Sequence, residues 1–204
     1  MRRLKNHIPV RTWIIALAIL LLLLTCNSNQ YAQAQIKTAS MYQLDTLQTT
    51  ISVNYELARI ASYNKFLDTI GFKESRNQYD VVNTIGCLGR YQFKLSTLHG
   101  LGFNCTAEEY LVDTILQEES MVAYLSYHQN LLHDVIEAYN GTVFNDIYVT
   151  ESGILAAAHL AGAGGVRGYF NGYGDVSDAY GTRLTNYLEN YSGYVILENK
   201  YNEE

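Results

Sequence analysis

Glu74 closes an apolar stretch and opens a turn-rich one, a position from which a carboxyl group can do acid–base chemistry. From Glu74 to Phe93 the chain reads ESRNQYDVVNTIGCLGRYQF, with Gly86 and Gly89 set among amides and tyrosines. A glutamate partly enclosed by apolar groups has its charged form disfavoured and stays protonated closer to neutrality. That is what a general acid for a glycosidic oxygen needs. The plain alternative is a surface glutamate at a helix end. Around it, Gln92 is a candidate amide for positioning a sugar N-acetyl group or Glu74 itself, Ser75 for orienting the turn, and Tyr91 for stacking on a pyranose face. His159 is a candidate proton-sharing neighbour. Each also has an ordinary structural reading as a buried amide, a helix-end hydroxyl, a core ring or a core imidazole. With eighteen tyrosines in the chain, tyrosine alone marks no site. Asp80 reads as a solvated turn residue, and Gln117, Glu118 and Glu119 as helix-surface or bracing groups, so no second acid stands out.

The same residues carry a resemblance. Glu74-Ser75, Gly86, Gly89 and Gln92 are similar, position for position over 74–92, to the E-S…G…G-x-x-Q signature of the soluble lytic transglycosylase and lysozyme-like superfamily. Ala157-Ala158-His159-Leu160-Ala161-Gly162-Ala163-Gly164-Gly165-Val166 resembles that superfamily's A-A-Y-N-A-G-P-G-x-V segment, with His159, Leu160 and Ala163 replacing its tyrosine, asparagine and proline. Asp178-x-Tyr180-Gly181-Thr182, followed by Tyr187 and Tyr194, looks like an element of exported or phage-associated relatives. The likeness spans about residues 56–194 and implies a divergent branch. It implies a mainly α, lysozyme-like domain, with helices around a glycan-binding cleft and at most a small irregular β element. It also implies a peptidoglycan lytic transglycosylase. Glu74 would protonate the oxygen between N-acetylmuramic acid and N-acetylglucosamine, the substrate's N-acetyl group would stabilise C1, and Glu74 would then act as base for the muramoyl 6-hydroxyl, giving a 1,6-anhydro end. A hydrolytic muramidase, which usually pairs two carboxylates, and a non-catalytic glycan-binding domain are the alternatives.

No cofactor or metal is expected. His128 and His133 miss the i, i+4 spacing of a helical ligand pair, and no paired cysteines stand near them. Gly162 to Gly165 follows a helix and lacks the downstream Lys-Ser or Lys-Thr of a phosphate loop. It reads as a helix stop that lets backbone approach a cleft.

The elements that must hold these residues read as helices. Leu57, Ile60, Ala61, Asn64, Phe66, Leu67 and Ile70 form an approximate helical stripe that Gly71 interrupts. Thr106 with Glu109 makes a capping box for a helix running to about His133, its apolar side including Tyr110, Ile115, Met121, Leu125 and Leu131. A second helix over Leu132–Tyr139 overlaps or continues it. Val143–Val149 reads as a short strand or irregular piece, Thr150 starts a helix that stops at Gly162, and a last helix covers Asp178–Asn190.

Upstream lies a targeting segment. Arg2, Arg3, Lys5 and Arg11 precede the apolar run Trp13–Leu24, and Ala32-Gln33-Ala34 suits signal peptidase. The run is shorter than the roughly 20 residues of a spanning helix. Residues 1–34 are thus read as a signal peptide, 35–50 as a polar, flexible lead-in and 51–204 as the domain, exported to the periplasm or secreted, with no stable membrane span after cleavage. A lipoprotein anchor through Cys26 is the lesser alternative. Four of the fourteen basic residues and none of the twenty acidic ones lie in 1–34, leaving ten against twenty, a formal charge of −10. Such a surface repels nucleic acid. Its own target, peptidoglycan strands, is also anionic, so attraction to the wall must come from local contacts. Cys87 and Cys105 permit a disulfide in an exported chain, or stand as free buried thiols.

Overall fold

The computed structural model describes residues 10–178 and 181–197. The expected basic residues Arg2, Arg3 and Lys5 and the motif residue Tyr180 lie outside them. The fold is mainly helical, as expected. In chain order the elements are α1 (Val10–Ser75), α2 (Leu95–Gly100), α3 (Ala107–Val112), α4 (Thr114–Leu131), α5 (His133–Tyr139), β1 (Val143–Phe144), β2 (Ile147–Tyr148), α6 (Glu151–Phe170) and α7 (Leu184–Asn190). The chain divides into two units, the second beginning at Glu56.

In the first unit the described chain is all α1. Residues 35–50, expected as a lead-in, are helical with every side chain exposed. They contain neither proline nor glycine, and the hydroxyls of Thr38 and Thr46 fold back onto the carbonyls of Ala34 and Tyr42, so nothing local breaks the helix. Among the described residues, no helix is long and apolar enough to cross a membrane.

The second unit holds the core. The end of α1 contributes Tyr63, Phe66, Leu67 and Ile70, all buried, at the i, i+3, i+4, i+7 spacing of one helix face. Leu57 and Ile60, read as part of that stripe, are exposed. Gly71 does not stop the helix. A Cβ there would run into Asn77 Oδ1 and the Arg90 side chain, so the glycine serves a close approach rather than a break.

Thr106 and Glu109 form the expected capping box, with Thr106 Oγ1 accepting from the Glu109 N–H at 3.2 Å and Glu109 Oε2 from the Thr106 N–H at 2.8 Å. The helix it starts is short. Asp113 ends α3 and caps α4 by accepting the Leu116 N–H at 2.9 Å, which turns Ile115 to solvent. Leu132 separates α4 from α5. The strand expected over 143–149 is the β1–β2 hairpin, with Val143 opposite Tyr148 and Phe144 opposite Ile147. Asn145 and Asp146 at its tip both have positive φ, the conformation a two-residue hairpin loop demands.

Thr150 caps α6 as expected, accepting the Gly153 N–H at 3.2 Å. The helix kinks at Gly162 (φ 67°, ψ 170°) and resumes to Phe170, so the glycine run bends the helix where a stop was expected. Residues 152–158 of α6 are all buried. Gly153 admits α7 closely, since an ideal Cβ there would lie 2.6 Å from the Leu188 carbonyl oxygen. The last helix starts at Leu184, later than expected; before it, the Asp178 N–H donates to Thr182 O (3.0 Å) and the Thr182 N–H to Asp178 Oδ1 (2.8 Å).

Candidate active site

Four segments of the second unit converge on Glu74: the last turn of α1, the 76–93 loop, the first half of α6, and the 178–187 stretch leading into α7. Glu74 is 22% exposed at its side chain. Its Oε1 accepts a 2.8 Å hydrogen bond from the Tyr187 hydroxyl. Burial, and next the charge of Glu74, push the Tyr187 phenol well above its ordinary range. It therefore stays protonated and acts only as a donor to the carboxylate. The Tyr187 ring is stacked on Tyr191, with centroids 5.0 Å apart, and the Gly153–Leu188 approach seats the helix that carries Tyr187.

His159 Nε2 lies 4.0 Å from the same Oε1, beyond hydrogen-bonding reach. The imidazole is walled by Phe93 and Tyr124, each 5.4 Å away and edge-on, and its buried Nδ1 has no hydrogen-bond partner among the described residues. Burial lowers its pKa, against the opposing pull of Glu74's charge. His159 is thus a neutral, packed neighbour of the acid.

Two cavities of about 330 Å³ each meet at Glu74, and both are lined by Glu74, Asn83 and Gln92. The first continues past His159, Asp178 and Tyr187 to Lys94. The second runs over Lys73, Ser75 and Arg76. A third, against Lys73 and Tyr187, reaches Asn190 and Tyr191. Glu74 thus borders two cavities that share part of their lining.

The loop is held by a buried polar network. Ser75 Oγ donates to the Arg90 carbonyl at 2.8 Å and accepts from the Gln78 N–H at 3.0 Å, which fixes the turn just after Glu74. Arg76 and Asn77 both take left-handed backbone, φ 58° and 61°, a conformation that costs about 1 kcal/mol or more each for a residue with a Cβ. The Arg90 guanidinium holds Asn77, with Nε donating to Asn77 Oδ1 at 3.0 Å, and is itself fixed by Nη1 donating to Glu118 Oε1 at 2.6 Å and by an ion pair to Asp68. Gln117, fully buried, accepts from the Arg90 N–H at 2.8 Å and donates to the carbonyls of Tyr79 and Tyr110. Gly89 leaves room for it, since a Cβ there would overlap Gln117 Oε1. Gln117 and Glu118 therefore brace the site.

Of the residues singled out from the sequence, Glu74, Gln92 and His159 line one cavity together. Ser75 adjoins on the other side. Gln92 has its amide tied by Nε2 to the Gly89 carbonyl at 2.8 Å, leaving its Oε1 end for a ligand. Tyr91 requires correction. It is fully buried and its hydroxyl donates to Glu118 Oε2 at 2.7 Å, so no sugar can stack on it. Gln92 follows with left-handed backbone, φ 55°, and lines the cavity where Tyr91 is buried. Asp80 is exposed on the loop. The disulfide alternative also fails, because Cys87 and Cys105 are free thiols. Cys87 lines the first cavity, while Cys105 packs beside the start of α3.

Three site residues escaped the reading of chemistry from sequence: Tyr187 as the partner of Glu74, Asp178 as a second carboxylate on the same cavity, and Lys94 at its rim. Tyr187 and Asp178 were flagged only through the third resemblance element. Among the described residues no group of three or more His, Cys, Asp or Glu is placed to hold a metal ion. Comparison with family models, with curated proteins and with solved structures finds no match for this chain.

Proposed function

We propose that this protein is an exported peptidoglycan lytic transglycosylase of lysozyme-like fold, with Glu74 as its single general acid and base. The observation that carries the reading is Glu74 itself. It is a partly enclosed carboxyl at the meeting point of two cavities, with one oxygen capped by a tyrosine donor. Because Tyr187 occupies Oε1, the transferable proton belongs on Oε2 and is delivered to the glycosidic oxygen of a strand lying across both cavities. After cleavage the carboxylate, stabilised by the same Tyr187 donor, takes the proton of the muramoyl 6-hydroxyl as that oxygen attacks C1. Gln92 holds the N-acetyl group that assists at C1, and neutral His159 shapes the wall beside the acid without competing for its proton. The signal-like start of the chain supports an exported enzyme, since its substrate lies outside the cytoplasm.

Asp178 favours a second reading. A carboxylate on the cavity that holds Glu74 is the arrangement a hydrolytic muramidase uses to direct water. Digestion of purified sacculi by the full chain, beside Glu74→Gln and Asp178→Asn, separates the two by product mass. Anhydro ends lost in Glu74→Gln and kept in Asp178→Asn support the transglycosylase. Reducing ends lost in both assign the muramidase. Glycan bound by every protein and cleaved by none would leave a binding domain.

A further inference from the structure

Eight basic residues are described between Glu56 and Ile196, and their distribution is uneven. Arg59, Arg90 and Arg167 are each engaged by carboxylates. The other five, Lys65 and Arg183 with Lys73, Arg76 and Lys94, are exposed and in no ion pair among the described residues; the last three are set apart by position. All three line the cavities that meet at Glu74, Lys73 and Arg76 on one side and Lys94 on the other. The chain as a whole carries a formal charge of −6, so its average field opposes any acidic polymer. Screening confines that field to about 8 Å at physiological salt, within which these three charges act locally and offset Glu74 and Asp178. The left-handed backbone at Arg76 is a second oddity of the same place. It turns the chain sharply after the catalytic helix and sets a guanidinium, a fork suited to carboxylates, on the lining.

We propose that Lys73 and Arg76 on one of the cavities that meet at Glu74 and Lys94 on the other bind carboxylates borne by the sugar strand, so that the site selects acidic strands over neutral ones. The inference rests on the glycan-cleaving reading and names which glycans. A muramoyl unit offers carboxylates from two sources. Its lactyl group is a free acid when no peptide is attached. When a stem peptide is amide-linked there, the peptide brings its own carboxylates.

The test is binding of the full-length Glu74→Gln protein, which keeps strands intact, to three soluble ligands of equal length: peptide-bearing muramoyl strands, peptide-stripped strands, and neutral N-acetylglucosamine oligomers. Exposed charge contacts are each worth about two- to fivefold, so the acidic strands bind about ten- to a hundredfold tighter than the neutral oligomer, and 0.5 M salt removes most of the advantage. Adding Lys94→Gln reduces the preference and Lys94→Arg retains it. Lys65→Gln, an equal change of net charge away from the cavities, leaves it in place. Tighter binding of peptide-bearing strands assigns the stem peptide, and tighter binding of stripped strands assigns the lactyl group. Equal affinity for neutral and acidic ligands, a preference that survives replacement of all three cations, or no binding to any strand overturns the proposal. A retained preference with no cleavage by the unsubstituted chain would overturn the enzyme reading and leave this one standing.

Discussion

Gly153→Ala sets two effects of known size against each other. In the interior of a helix, alanine is favoured over glycine by about 0.8–1 kcal/mol, and Gly153, in the first turn of α6, gains part of that. The added methyl, however, would lie 2.6 Å from the Leu188 carbonyl oxygen and 3.3 Å from its carbonyl carbon and Cα. The obstacle is backbone, which no rotamer change can clear, so α6 and α7 must separate by several tenths of an ångström. Overpacking of this kind costs about 1–3 kcal/mol, and both neighbours are fully buried, so steric cost wins and the net is about 1–2 kcal/mol of destabilisation. For a domain of this size that lowers Tm by about 2–8 °C. Gly164→Ala is the matched control. It lies in the same helix, and its Cβ meets nothing within 4 Å, so the same substitution stabilises by a few tenths to about 1 kcal/mol. Urea unfolding of both variants reads the two signs directly. Because α7 carries Tyr187, Gly153→Ala also lowers glycan cleavage beyond what its unfolded fraction accounts for. A Gly153→Ala protein as stable as the parent would refute the close-approach reasoning.

Two further outcomes are expected. Tyr187→Phe keeps the ring stacked on Tyr191 and removes only the donor to Glu74 Oε1; a hydrogen bond to a charged group is worth about 1.5–3 kcal/mol, so turnover of sacculi falls about tenfold or more with unchanged far-UV circular dichroism, and undiminished turnover would remove Tyr187 from the mechanism. His128 is buried on Tyr124, and burial, then the nearby His159, lowers its pKa to about 4. The unfolded chain takes up that proton first, near pH 6.5, so stability present above pH 6.5 declines as pH falls towards 4. The decline attributable to His128 is at most about 3 kcal/mol, and less after solvent screening. The difference between parent and His128→Gln in urea midpoint at pH 7 and pH 4.5 measures it, and parallel pH dependence in the two proteins would contradict it.

What was legible in the sequence was what short-range chemistry decides. The Thr106–Glu109 box and the Thr150 cap are satisfied within three residues, and both were found. The α1 core face was found in part, since Phe66, Leu67 and Ile70 follow a local period. Asp113 was missed because one capping carboxylate inside a helical pattern looks like a surface residue until the break is seen. Gly71 and Gly162 were read as stops, yet one makes room for Arg90 and the other bends a helix. Both roles depend on partners or on chain direction that local composition does not reveal. Tyr91 and Gln92 both read as ligand-facing from sequence, one as a stacking ring and one as a positioning amide, and only the turn reveals that the first is buried and the second lines the cavity. The pairing of Tyr187 with Glu74 spans 113 residues, and no local pattern encodes it. Asp178 and Lys94 became site residues only when the 178–187 stretch and the start of α2 came together around the first cavity.

The amide of Gln117 bears on how a ligand enters. One side chain of α4 fastens the loop at Tyr79 and Arg90 and the end of α3 at Tyr110. Opening the loop would strand those buried groups at about 1–3 kcal/mol each. The floor behind Glu74 therefore exchanges its amide hydrogens with α4, as part of one cooperative block, and does not breathe as a lid. On the proposed reading, a strand meets a wall that is already set, so little of its binding free energy is spent on ordering the protein.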